Sequence, residues 1–161
     1  MKFIRLQLFT ILLVLTLHAA VDPFVGVWKL DSRKSKFTIG DPSFMFATIQ
    51  VETTANGLKS TASAANGEGF ASDFTFTCSL DGTPCPVISA LPMRGSSAID
   101  TLTLKRIDER TITARGTKDG KLVFVDQRAV SSDGMTMTVT RQGTTPDGRK
   151  YDSTIVLVRS R

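Results

Sequence analysis

Six turn dipeptides punctuate this chain: Asn56-Gly57, Asn66-Gly67, Asp81-Gly82, Asp119-Gly120, Asp133-Gly134 and Asp147-Gly148. Asn-Gly and Asp-Gly are the strongest short-range signals for a tight β-hairpin, because its central residues must take positive φ. The last three recur at fourteen-residue intervals, although the segments between them differ and form no sequence repeat. Those segments are short and β-prone, and no helical period is sustained after residue 20. Strands are predicted over 25–30, 44–54, 58–64, 70–79, 98–107, 111–118, 122–131, 135–141 and 151–158, with a short return strand over 85–88. A meander of nine or ten strands leaves two open edges, and closure into a barrel removes both. A sandwich more often requires long crossovers. The expected fold is all-β: a single up-and-down antiparallel barrel of about eight to ten strands.

At 161 residues the chain suits one folded domain. Residues 1–20 read as a signal peptide, with basic Lys2 and Arg5, an apolar run over 6–17, and Ala19-Ala20 for cleavage after either residue. The apolar run is short for a membrane span, which takes roughly 20 residues. Residues 21–161 are then the barrel domain, exported to the periplasm or secreted. No cysteine near the cut suggests a lipid anchor. His18 is the single histidine and departs with the signal. Its loss removes the commonest general base, the Ser-His-Asp system and histidine metal sites. Losing Lys2 and Arg5 lowers the formal charge from +5 to +3. The basic residues are dispersed and lack aromatic interleaving, so no nucleic-acid partner is expected.

Cys78 and Cys85 flank the Asp81-Gly82 turn. They can face each other across a hairpin, and an oxidising compartment would join them as a disulfide. A redox-active pair is the alternative, but the spacing is not Cys-x-x-Cys.

Gly26-Val27-Trp28 opens the first strand and contains the only tryptophan. The run Pro23-Phe24-Val25-Gly26-Val27-Trp28-Lys29-Leu30-Asp31 with Lys34-Ser35-Lys36-Phe37 resembles the opening of small exported bacterial lipocalin-like proteins of the acidobacterial type. Leu104-Lys105-Arg106-Ile107-Asp108 and Arg128-Ala129-Val130-Ser131-Ser132-Asp133-Gly134 resemble that group as well. The resemblance implies a calycin barrel and no established activity.

Strand alternation sorts side chains onto two faces. One face carries Phe70, Phe74, Phe76 and Cys78. Further rows are Leu102, Leu104 and Arg106; Leu122, Phe124, Asp126 and Arg128; Met135, Met137, Val139 and Arg141; and Ile155, Leu157 and Arg159. If these rows point inward, they either fill the barrel or line an apolar calyx. The calyx candidates are Phe74, Phe76, Leu102, Leu104, Phe124, Met135 and Met137, with Arg106 and Arg128 as forked donors to a carboxylate or phosphate headgroup. Asp126 could instead neutralise Arg128. Arg159 is the best candidate to stack on Trp28 and close the barrel base with Gly26.

The carboxylates available for catalysis are Glu68, Asp73, Asp100 and Asp126, and no spacing among them demands a hydrolase pair. The Asp-Gly turns lack the regularly spaced oxygens of a calcium loop, so neither metal nor cofactor is expected. The sequence therefore points to non-enzymatic binding of a small apolar or amphiphilic ligand. The alternatives are a barrel with a filled interior acting as an envelope interaction module, and a carboxylate-based enzyme on the same fold. A cavity above roughly 300 Å3 would favour the binder.

Overall fold

The computed structural model describes residues 21–37, 44–66, 71–89, 99–145 and 148–160. The expected signal peptide, Glu68, Phe70 and Asp147 lie outside them, as do 38–43 and 90–98 of the two long connections.

Ten strands run in chain order: β1 (Gly26–Leu30), β2 (Phe44–Thr54), β3 (Gly57–Asn66), β4 (Ala71–Cys78), β5 (Asp81–Ser89), β6 (Thr101–Asp108), β7 (Thr111–Lys118), β8 (Lys121–Val130), β9 (Thr136–Thr144) and β10 (Lys150–Arg159). Each pairs antiparallel with its sequence neighbours, and β1 pairs with β10, so the sheet closes as an up-and-down barrel. The hairpin turns force this order, since each tight reversal lays a strand beside its predecessor. Every strand then has two partners and no edge remains exposed.

Two seams are short. β1 meets β10 through three pairs, Trp28↔Arg159, Lys29↔Val158 and Leu30↔Leu157. Beyond Leu30 the chain continues along β10: the Asp31 amide donates to the Val156 carbonyl at 2.8 Å, and Lys36 and Thr154 exchange backbone hydrogen bonds. This strap covers the outer side of Val156, which is buried. The β4–β5 ladder also has three pairs and stops at Phe76↔Val87. Prolines supply the cause. The Val87 amide donates to Asp100 on the β6 side, so strand alternation turns the nitrogens of Pro86 and Pro84 toward β4. Neither carries an N–H. The Cys78–Cys85 disulfide takes over where the ladder ends, with a Cα–Cα distance of 5.3 Å.

The inner face follows the expected parity over most strands. Trp28, Leu102, Ile112 and Leu157 are among the most deeply buried side chains. Leu122 is a correction, since it is 50% exposed. The register shifts between the pairs Gly116↔Phe124 and Thr117↔Leu122, leaving Val123 as an extra residue. That bulge reverses the parity of the strand's first turn.

One end of the barrel is closed by a plate of rings and guanidiniums. The Arg159 guanidinium lies 4.2 Å from the Trp28 ring centroid. Its nitrogens donate to the carbonyls of Gly134, Pro23 and Val25. Trp28 Nε1 donates to the Phe24 carbonyl at 2.9 Å. Gly26 sits at φ +138°, where a Cβ would run into the Arg159 guanidinium. Gly26, Trp28 and Arg159 are thus one device: the glycine leaves room for the cation that covers the ring.

Candidate functional site

A cavity of about 130 Å3 lies inside the barrel, lined overwhelmingly by apolar atoms. Small side chains on β2 and β3 create it: Ala47, Ser60, Ala62 and Ala64 all face it. Four inward positions that a Leu or Phe would fill are nearly empty, so the rest of the core stops short of that wall. Larger side chains of β4 and β6–β10 form the rest of the lining, including Phe74, Leu102, Phe124 and Met137.

Phe124 is seated against Gly116, its ladder partner on β7, while its other partner, Gly143 on β9, leaves room for the Tyr151 ring. A Cβ on Gly116 would come within 2.5 Å of the Phe124 ring. With the ring settled there, the Arg141 guanidinium stacks on it at 4.0 Å from the centroid.

The polar part of the lumen is an ion cluster on β8 and β9. Asp126 stands directly opposite Arg141 in the ladder, and Arg128 follows on the same face. Arg141 donates to one Asp126 oxygen at 2.8 Å, and Arg128 Nε donates to the other at 3.0 Å. The side chains of Asp126, Arg128 and Arg141 are 0%, 20% and 14% exposed. Burial alone would raise the Asp126 pKa. The charges and hydrogen bonds of the two arginines outweigh it and hold the carboxyl below its ordinary 3.8. Arg128 and Arg141 both line the cavity. The buried Arg141 Nε has no hydrogen-bond partner.

The structure divides the sequence-derived candidates. Phe74, Phe76, Leu102, Leu104, Phe124, Met137 and Arg128 line the cavity. Met135 and Arg106 do not, and the pairing of Arg106 with Arg128 on one headgroup is corrected. Met135 precedes β9 in the turn that Asp133 organises, where its amide donates to Asp133 and its carbonyl accepts from the Arg159 amide. Arg106 is held at the closed end by the Asp22 carboxylate and by the Glu109 carbonyl at 2.8 Å, beside the Phe24 ring. Arg141 takes the place expected for Arg106. Alternation had put Arg141 on the inner row, but only the register shows that it meets Asp126. The small-residue wall also went unread, although Ala62 and Ala64 share one parity. Phe24, 3% exposed, lines the closed end of the cavity and precedes the first strand, outside any alternation pattern.

Among the other carboxylates, Asp100 accepts the Asp119 amide and pairs with Lys118. Asp126 is the single buried carboxylate among the described residues. No group of three or more His, Cys, Asp or Glu among them could hold a metal ion. No helix among them is long and apolar enough to cross a membrane. No family model, no curated protein and no solved structure matches this chain.

Proposed function

We propose that this is an exported, lipocalin-like barrel that binds a small, compact, apolar or amphiphilic molecule in its lumen and does not transform it. The observation that carries this reading is the apolar cavity against the Ala47, Ser60, Ala62 and Ala64 wall. Export is supported by the signal-like residues 1–20 and the Cys78–Cys85 disulfide. The lipocalin-like reading is supported by Gly26-Val27-Trp28 with Arg159 stacked on the ring.

The cavity volume limits the ligand. It is below the roughly 300 Å3 at which drug-sized sites begin. It is close to the engineered cavity of about 150 Å3 that holds one benzene. The expected ligand is therefore the size of a single ring or a short branched chain. The same volume favours a second reading, a barrel that is essentially filled and acts through its surface.

Native mass spectrometry of the exported protein, with extraction of co-purified molecules and a toluene titration, separates the two. A stoichiometric passenger or saturable toluene binding supports the binder, and Ala62→Phe should abolish it by occupying the space. An empty protein with no thermal shift on toluene supports the filled barrel.

A further inference from the structure

We propose that the ligand is a small monocarboxylate, one ring or a short branched chain bearing a single carboxylate, seated on Arg128 and Arg141. This rests on the reading of the lumen as a ligand site and adds the chemistry of its occupant.

Three observations converge on it. The cluster holds two guanidiniums and one carboxylate, which leaves one positive charge among side chains at most a fifth exposed. An uncompensated charge removed from water is costly, so the site is completed by one negative charge. Arg141 also keeps a buried Nε–H that no acceptor meets, and buried donors are normally satisfied. Finally, both arginines line the cavity, so an occupant can reach them. Phe124 and Asp126 hold the Arg141 guanidinium in place beforehand, which reduces the ordering cost of binding.

Charge balance selects among anions. A monocarboxylate brings the site to neutrality, whereas a phosphate dianion would leave a net negative charge in the same enclosure. The carboxylate also matches the planar fork of a guanidinium. Volume selects the body: about 130 Å3 accommodates a ring, not a long acyl chain.

The test uses the full chain, expressed with export and purified with its disulfide intact. Benzoate, its neutral counterpart benzamide, phenyl phosphate, laurate and toluene are titrated by calorimetry. Benzoate should bind about tenfold or more tightly than benzamide, the margin of a charge-assisted over a neutral hydrogen bond. It should also bind more tightly than phenyl phosphate or laurate, and it should shift the Arg141 Nε–H resonance. Arg141→Met should erase the preference for benzoate over benzamide while toluene still binds.

Toluene binding without a benzoate preference would overturn the inference and leave the apolar binder standing. So would a stronger response to phenyl phosphate or laurate, or a benzoate preference that survives Arg141→Met. Failure of every probe, toluene included, would remove both readings together.

Discussion

At the residue scale, two positions concentrate the physics of this barrel. Gly26 combines a positive φ with a guanidinium where a Cβ would stand. Gly26→Ala should destabilise the fold by about 1–3 kcal/mol from backbone strain, with more from displacing Arg159. Trp28 reports the event, being fully buried and the only tryptophan. The variant should show altered native emission and an earlier urea midpoint; an unchanged spectrum would mean that the stack does not depend on Gly26. Asp126 is the second position. Its carboxyl is held below the ordinary value by Arg128 and Arg141, so the unfolded chain takes up that proton first on acidification. Its contribution is fully present above pH 3.8 and is lost as pH falls through the lower folded value. Asp126→Asn should cost about 3–5 kcal/mol at neutral pH, because two largely enclosed cations lose their partner. It should also flatten the decline in stability below pH 3.8. A decline as steep as in the parent protein would assign the acid sensitivity to other carboxylates.

At the element scale, two of the hairpin turns share a construction that the sequence announces. Ser79-Leu80-Asp81-Gly82 and Ser131-Ser132-Asp133-Gly134 both place a serine hydroxyl on the aspartate two residues ahead. Each aspartate then accepts an amide two residues further on, from Thr83 or Met135. These contacts, led by the Ser79 hydroxyl, lower the Asp81 pKa to about 2. Such local bonds involve neighbours in sequence, which is why turn positions and strand order were legible. Non-local consequences were less so. Pro84 and Pro86 were visible in the sequence, but the shortened β4–β5 ladder follows only once Val87 is known to face β6. The Leu122 reversal likewise depends on a bulge against β7 that no single strand reveals. The disulfide that replaces the missing ladder bonds closes a short loop, with a sequence separation of 7. Chain entropy for such a loop gives about 2–2.5 kcal/mol. Reduction, or the Cys78→Ala/Cys85→Ala pair, should lower Tm by roughly 5–10 °C for a domain of this size. An unchanged Tm would show that the Pro84 and Pro86 seam holds by packing alone.

At the scale of the whole molecule, the two short seams divide the closed barrel into unequal walls. β1–β4 form one wall and β5–β10 the other, joined at each seam by three ladder pairs. The division matches the chemistry of the lumen. The first wall carries the small residues that make the cavity, and the second carries Asp126, Arg128 and Arg141. Within the larger wall the β6–β10 ladders are long, the β5–β6 ladder having four pairs: β9 and β10 pair from Lys150↔Thr144 through Val158↔Thr136 without a break. A closed sheet has no fraying edge, so local opening must begin where fewest bonds cross. Native-state hydrogen exchange should therefore show graded protection. The Asp31, Lys36 and Ser160 amides, which fasten the β1–β10 seam, should exchange through low-energy openings. Gln127 and Thr140, paired in the middle of β8 and β9, should exchange only with global unfolding. Reducing the disulfide should lower protection in β4 and β5 before it affects β8 and β9, because Cys78–Cys85 substitutes for hydrogen bonds at that seam alone. Uniform protection across both seams and the β8–β9 ladder would make the barrel a single cooperative unit, and a ligand would then need a route through the end away from the Trp28 plate rather than between the walls.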